Sequence, residues 1–300
     1  MRLLSLLITS FNPRRLLPLC AMAIAVFGLC GCASFFFHPD KEVRFTPEFF
    51  EVDYETRTIA TDDGEKLFAW LLKAENPKAV IVFLHGNAGN ISEHLPSVYW
   101  LPQRGFSVLS VDYRGYGASS GEPSVEGVIT DARSSIEYAL SEFKGLPIVV
   151  FGQSLGGAAA ISALKPYKEK IAALITEGAF SSYEVVAKEI AKRSWIGYLA
   201  LPFLGGVADK KLDPIANIAD LEGLPILIIH GDRDPIVAVH HARDLFDAAK
   251  EPKELLIVFN GGHIGSFALG RERRDRFAAA IEALIKQRKD DPALIRALQK

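Results

Sequence analysis

Cysteine is nearly absent from this chain. The three cysteines, Cys20, Cys30 and Cys32, all lie within the first 32 residues, and none follows them. The rest of the chain therefore has neither a disulfide framework nor a cysteine-based metal site. An excess of charge of one sign is also missing, since the formal net charge is -2 and no stripe of lysine and arginine alternates with aromatic residues. Nothing in this charge pattern predicts nucleic acid as a partner.

No internal repeat or low-complexity segment is evident in the sequence either. The 300 residues are 49% apolar and 23% charged, so the chain can bury a full-sized core. This length allows one large domain or two small ones. The alternation of elements described below favours one.

The N-terminal segment resembles the signal peptide of a bacterial lipoprotein. Arg2, Arg14 and Arg15 precede Leu16–Cys30, a charge-free run of 15 residues. This run is short for a transmembrane helix and typical of the apolar region of a signal peptide. It continues into "LCGC", which resembles a lipobox because a large aliphatic residue stands three positions before Cys32 and a small one directly before it.

The lipobox resemblance implies that Cys32 becomes the lipidated first residue of a mature protein anchored in a bacterial cell envelope, after removal of residues 1–31. Ala33 follows, where an aspartate would suggest retention in the inner membrane, so we expect the periplasmic face of the outer membrane in a Gram-negative host. An uncleaved anchor with incidental cysteines is the alternative. The remaining boundaries are predicted as a lipidated tether over 32–48, a main domain over 49–289 and a C-terminal tail over 290–300.

From Glu51 onward, short apolar runs alternate with segments of helical periodicity. "EVDYETRTIA" and "KLFAWLLKA" flank the turn "TDDGE", which indicates an antiparallel hairpin. Six further runs are typical of buried parallel strands, namely "AVIVFLH", "SVLSVDY", "LPIVVFG", "IAALITE", "LPILIIH" and "ELLIVFN". The alternation predicts an α/β fold with a mostly parallel eight-stranded sheet and helices on both faces.

One serine lies where such a sheet places its chemistry. Ligands bind beyond the carboxyl ends of the strands, and Ser154 follows the apolar strand Ile148–Phe151 within three residues. The spacing Gly152-x-Ser154-x-Gly156 is typical of a nucleophile elbow, a strained strand-to-helix turn that exposes the serine hydroxyl. Glycines on either side let the strand and helix approach without a Cβ collision. We therefore predict that Ser154 is a nucleophile.

A serine nucleophile needs a base, and the base needs an orienting acid. Among the seven histidines, only His263 lies between the last strand and the final helix, so it is the predicted base. Asp234, four residues beyond the penultimate strand, is the predicted acid, with Asp232 as second choice and Glu177 as third. Of the other histidines, His230 is expected to pack against its neighbours. His240 and His241, at the start of a helix, are expected to face solvent.

The turn "LHGNAGN", Leu84 to Asn90, ends the first strand after the hairpin and can direct a backbone N–H towards the site. The predicted oxyanion-hole donors are the backbone N–H groups of Asn87 and Leu155. The second of these is reinforced by the N-terminus of the helix that follows Ser154.

Together, "HGNAGN", "DYRGYGASSGEPS", "GQSLGG", "HGDRDPIV" and "GGHI" resemble the α/β-hydrolase superfamily. They are most similar to its BEM46-like branch, which is grouped with serine aminopeptidase-like hydrolases. The resemblance covers roughly residues 49–289. It implies an α/β-hydrolase fold in which Ser154, Asp234 and His263 occur in the expected order. Serine-hydrolase chemistry requires no metal or organic cofactor, so none is expected.

A short insertion between Glu177 and Leu224 is expected to form a small lid. A lightly capped site on a membrane-tethered protein favours carboxylic esters as substrates, with short-chain or lipid-like acyl groups. The same triad would also serve a peptidase, an amidase or a thioesterase. A non-catalytic envelope protein that binds a ligand is a further alternative. An acidic cluster for a free amino terminus, which would support an aminopeptidase, is not evident in the insertion.

Overall fold

The computed structural model describes residues 36–201, 204 and 208–289. One compact unit begins at His38, and a distinct N-terminal unit ends at Phe37. Residues 38–48, which the sequence assigns to the tether, are thus part of the compact unit. The predicted signal peptide, Cys32 and the tail over 290–300 lie outside the described residues. Within those residues, no helix has the length and apolarity that crossing a membrane requires.

The core of the fold is one eight-stranded sheet. Its strands lie in the order β1-β2-β4-β3-β5-β6-β7-β8, with β2 antiparallel to β1 and β4 and all other neighbours parallel. The strands are β1 (Tyr54–Ala60), β2 (Lys66–Leu72), β3 (Ala79–Leu84), β4 (Phe106–Val111), β5 (Ile148–Gln153), β6 (Ala173–Glu177), β7 (Ile226–Gly231) and β8 (Lys253–Val258). This arrangement confirms the predicted α/β class and sheet.

Helices connect the strands, as the periodicity predicts. They are α1 (Ile91–His94), α2 (Val125–Glu142), α3 (Leu155–Ala163), α4 (Tyr183–Ala191), α5 (Trp195–Ala200), α6 (Pro214–Asn217), α7 (His240–Ala248) and α8 (Arg271–Lys289). Single 3₁₀ turns span Pro47–Phe50, Leu95–Ser97, Pro102–Arg104, Lys165–Tyr167, Lys210–Leu212 and Ile218–Leu221. Several helices begin where a serine hydroxyl accepts a backbone N–H, as Ser124 does from Gly127 at 3.0 Å.

The central strands are buried on both faces. Every residue of β3, β4, β5, β6 and β7 is buried, which explains why these strands read as continuous apolar runs rather than alternating ones. The edge strand β8 alternates between exposed and partly buried residues over most of its length. Because β3, β5, β6, β7 and β8 are parallel, the loops that follow their carboxyl ends meet along one edge of the sheet. That edge carries the candidate site.

Candidate active site

Ser154 occupies a sharp turn between β5 and α3. Its backbone has φ 51° and ψ −114°, in the left-handed half of conformational space that residues with a side chain rarely adopt. Such a conformation costs roughly 1–3 kcal/mol and persists only where the surroundings hold it. Here Ser154 N–H donates to the Glu177 carbonyl at 2.8 Å, and the Ser154 carbonyl accepts from Ala158 N–H at 3.1 Å. The turn has the form of a nucleophile elbow.

Two glycines make this turn possible. A Cβ on Gly152 would lie 2.4 Å from the carbonyl oxygen of Gly156, and a Cβ on Gly156 would lie 2.0 Å from that of Leu84. Both obstacles are backbone atoms, which cannot swing aside as a flexible side chain can. The glycines therefore let β5, α3 and the end of β3 meet below Ser154.

The loop after β7 brings Asp234 against His263. Asp234 Oδ2 lies 2.7 Å from His263 Nδ1. Its other oxygen, Oδ1, accepts the backbone N–H groups of Ile236 at 2.7 Å and Val237 at 2.9 Å. The Asp234 side chain is completely buried, whereas Asp232, the second choice for the acid, is exposed. Of these two carboxylates, only Asp234 contacts the predicted base.

His230 is a second histidine on the same carboxylate. Its Nε2 lies 3.1 Å from Asp234 Oδ2 and 2.9 Å from the Val237 carbonyl oxygen. Both partners are acceptors, so Nε2 carries the proton and donates it. Burial alone would raise the pKa of Asp234, but the hydrogen bonds from His230 and His263 outweigh burial and hold this pKa below its usual range. Asp234 is therefore a carboxylate at neutral pH.

Because the Asp234 carboxylate accepts, His263 Nδ1 carries the proton of the neutral imidazole and Nε2 holds the lone pair. The His263 side chain is 17% exposed. Glu177 and Gly178 lie beside both this ring and Ser154. The Glu177 carbonyl binds Ser154 N–H, and a Cβ on Gly178 would stand 3.2 Å from His263 Nδ1. The nucleophile and the base predicted from the sequence thus lie at the same point of the sheet edge.

Glu177, the third choice for the acid, has a different set of partners. Its Oε2 accepts from Gln153 Nε2 at 2.6 Å, and its Oε1 accepts from Ser266 N–H at 2.8 Å. The side chain is buried. Glu177 therefore joins the residue before Ser154 to the loop that carries His263, and it positions both rather than orienting the imidazole.

The loop that carries Asn87 is held from several sides. Asn87 Oδ1 accepts from the Tyr116 hydroxyl at 2.8 Å, and the His85 carbonyl accepts from the Tyr113 hydroxyl at 2.9 Å. Leu155 is the first residue of α3, so its N–H has no acceptor within the helix. These contacts place both predicted oxyanion donors on rigid supports, although their role stays a prediction.

His94 completes the support of this loop. Its Nε2 lies 2.9 Å from the Ala88 carbonyl oxygen, which fixes the proton on Nε2. A Cβ on Gly86 would stand 3.0 Å from the His94 ring and 3.7 Å from Ser154 Cβ, so His94 lies close to the nucleophile. Burial lowers the pKa of His94 to about 4 and nearby His85 adds to that effect, so the ring is neutral at pH 7.

Comparison with known proteins identifies the family. The family model described as "Serine aminopeptidase, S33" matches residues 75–211. The protein YfhR of Escherichia coli strain K12 is 34% identical over 265 residues, which cover 85% of this chain and 89% of YfhR. The protein bem46 of Schizosaccharomyces pombe is 31% identical over 202 residues, 64% of this chain and 64% of bem46. This chain belongs to the α/β-hydrolases, in their BEM46-like branch.

Solved structures agree with this assignment at the level of the fold. The esterase Pf2001 of Pyrococcus furiosus superposes with a TM-score of 0.66 at 20% sequence identity, over 84% of this hydrolase and 97% of the esterase chain. At that identity the likeness shows a shared fold.

One cluster of the hydrolase has the composition of a metal site. Glu189, His240 and His241 each place a ligand-type atom within 4.8 Å of the others. However, Ser181 N–H donates to His241 Nδ1 at 3.1 Å, so the proton of the neutral ring is on Nε2, which faces Glu189 Oε2 at 3.2 Å. His241 therefore has no lone pair for a metal, and the cluster is a hydrogen-bonded network.

One expectation about the other histidines was wrong, and one contact was not predicted. His241 was expected to face solvent but is completely buried, because its ring is enclosed by the Ser181 and Glu189 contacts. His230 packs as expected, yet its contact with Asp234 was missed. The available signal was the spacing "HGDRD", in which His230 precedes Asp234 by four residues across a tight turn.

Proposed function

We propose that this hydrolase cleaves carboxylic esters through an acyl-enzyme formed on Ser154. The observation that carries the proposal is the 2.7 Å contact between Asp234 and His263 beside a strained Ser154. The proposed roles are nucleophile for Ser154, general base for His263 and orienting acid for Asp234.

The proposed reaction proceeds in two halves. His263 Nε2 takes the proton of Ser154 while Oγ attacks the ester carbonyl, and the N–H groups of Asn87 and Leu155 stabilise the oxyanion. His263 then gives that proton to the departing alkoxide, which leaves an acyl-serine. The same imidazole then deprotonates a water molecule that attacks the acyl-serine. The acyl–Oγ bond breaks, the carboxylic acid leaves, and the proton passes from His263 to Ser154 Oγ.

The charges of the site favour esters over substrates that carry a free amino terminus. A peptidase that acts on free amino termini needs a carboxylate available for the substrate ammonium group. The two buried carboxylates of the site, those of Asp234 and Glu177, are already engaged by protein donors. Structural neighbours described as esterases, from Pyrococcus furiosus and Exiguobacterium antarcticum, point the same way.

Cleavage of amide or peptide bonds is the second candidate. It is favoured by the description of the matching family model, serine aminopeptidase. The triad chemistry is the same, so only substrate preference separates the two.

The test is hydrolysis of a chain-length series of p-nitrophenyl esters by the full chain, Ser154→Ala and Ser141→Ala. Ser141 is an exposed serine of α2 and serves as the matched control. We expect turnover by the parent and Ser141→Ala, and a loss on the order of 10⁶-fold in Ser154→Ala. Equal activity in all three proteins would overturn the proposal. Inactivity of all three on esters together with Ser154-dependent cleavage of aminoacyl amides would establish the second candidate.

We further propose that the hydrolase is tethered to a bacterial envelope membrane through lipid on Cys32, at the outer membrane's periplasmic face in a Gram-negative host. Acyl chains contribute about 0.8 kcal/mol per buried methylene, so two or more chains hold a protein firmly. Labelling with an alkyne palmitate should mark the wild type and Cys20→Ala but not Cys32→Ala. Label that persists in Cys32→Ala would contradict this site.

A further inference from the structure

The chain enters the hydrolase unit next to the candidate oxyanion loop. His38 and Pro39 pair in parallel with Ala88 and Gly89. The backbone N–H of His38 also donates to Asn87 Oδ1 at 3.2 Å. The first residues of the unit therefore lie at the edge of the sheet that carries Ser154 and His263.

The tether proposed above is short. Only five residues separate Cys32 from His38. A fully extended chain spans at most about 3.5 Å per residue, so six steps reach roughly 20 Å. If Cys32 is held at a membrane surface, His38, which contacts the candidate oxyanion loop, lies within about that distance of the lipid headgroups.

The same edge exposes large apolar side chains. Trp195 is 77% exposed and Tyr198 is 62% exposed, both on α5 in the predicted lid insertion. Ile236, beside the acid Asp234, is 43% exposed. The lid and the acid loop are joined because the Arg193 guanidinium donates to the Pro235 and Ile236 carbonyls. These exposed side chains are thus on adjoining parts of one surface.

The chemistry of this surface matches a lipid interface. Tryptophan and tyrosine are enriched at the headgroup level of membranes, where an apolar ring and a polar edge are both accommodated. Lys192, an exposed cation between α4 and α5, suits anionic headgroups.

We propose that the active-site face of the tethered hydrolase lies against the lipid bilayer, with Trp195 and Tyr198 at headgroup level. Ester lipids then reach Ser154 directly from the membrane. This inference rests on the proposed tether, and its test does not depend on hydrolysis. The occupant of the surface is the bilayer rather than a second copy or a protein partner.

Tryptophan fluorescence reports this contact directly. Trp70 and Trp100 are buried, so Trp195 is the exposed one of the chain's three tryptophans. The full chain is reconstituted into vesicles of phosphatidylcholine and phosphatidylglycerol, with or without bromine on the acyl chains. We expect brominated lipid to quench the wild type, and the quenching to disappear in Trp195→Phe.

A second tryptophan provides the matched control. Phe49 is 69% exposed and lies at the opposite edge, where the parallel strands begin, since the nearby Glu51 lines a pocket with Gln103 and Gly105 directly before β4. Phe49→Trp in the Trp195→Phe background should remain unquenched, with an emission maximum typical of water.

Each outcome decides a separate point. Vesicle-bound protein whose Trp195 is not quenched overturns the docking while leaving the tether intact. Quenching at Phe49→Trp as well overturns the orientation. Protein that does not remain on the vesicles overturns both the tether and the docking. Esterase activity is measured separately, so its absence leaves the docking result standing.

Discussion

At the residue scale, Asp234 is held by four donors. The backbone N–H groups of Ile236 and Val237 bind one oxygen, and His230 and His263 bind the other. All of them favour the ionised form, so the acid is fixed in charge and in direction. This is the environment that an orienting carboxylate needs, because its function is to hold the imidazole tautomer.

Replacement of Asp234 should therefore be costly. We expect Asp234→Asn to lower kcat on esters by about 10⁴, because the amide no longer selects the tautomer with the proton on Nδ1. Asp232→Asn is the matched control and should retain parental kcat, since Asp232 is exposed. Steady-state kinetics on one p-nitrophenyl ester compare the two. A large loss in Asp232→Asn with little in Asp234→Asn would show that the acid is misassigned.

His94 should make the stability of the protein depend on pH. Its pKa is lowered to about 4 in the folded state, from 6.5, so the unfolded chain binds more protons between these values. Stability therefore falls as pH falls from 6.5 to 4, by about 1–3 kcal/mol from this group. Urea unfolding at pH 7 and pH 4.5 should show a smaller drop in unfolding free energy for His94→Gln than for the wild type.

The control for that experiment is His38→Gln, the same change at an exposed histidine. It should keep the full wild-type drop in stability. An unchanged pH dependence in His94→Gln would mean that His94 is not the group that resists protonation.

At the element scale, the elbow depends on the close approach of three backbones. Gly156→Ala would place a methyl group 2.0 Å from the Leu84 carbonyl oxygen, at the end of the strand that leads into the oxyanion loop. We expect a loss of at least about 3 kcal/mol in unfolding free energy, above the usual cost of overpacking, because backbone must move.

Gly262→Ala is the matched control at the element scale. A Cβ there meets nothing within 4 Å, although Gly262 directly precedes His263. We expect its unfolding free energy to stay within about 0.5 kcal/mol of the parent. Equal destabilisation by the two substitutions would contradict the packing explanation of the elbow glycines.

At the scale of the whole molecule, the C-terminal helix is fastened to distant parts of the fold. The buried Arg288 donates to the carbonyls of Gly223, before β7, and Lys168, after α3. Arg288→Met should lower the unfolding free energy by about 2–3 kcal/mol, because the Gly223 and Lys168 carbonyls lose a charged donor. Lys286→Met, an exposed neighbour on α8, should change it little. Chemical unfolding of both variants tests this, and equal losses would show that Arg288 has no special role.

Much of the fold and of the candidate site was predictable from local sequence patterns. Continuous apolar runs predicted the buried parallel strands because a strand covered on both faces has no polar side. The order of strands and helices placed Ser154 and His263 at the carboxyl edge, since loops after parallel strands meet there. For the same reason the candidate nucleophile and base were predictable without coordinates.

Only the tertiary structure determines which of two neighbouring carboxylates contacts His263. Asp232 and Asp234 are two residues apart in one turn, and the backbone of that turn exposes the first and buries the second against His263. The same holds for two histidines. His230 contacts Asp234 and His241 contacts Glu189 because of how the loops fold over the sheet. Spacing along the chain determines which residues reach the edge, but side-chain direction and burial determine which of them touch.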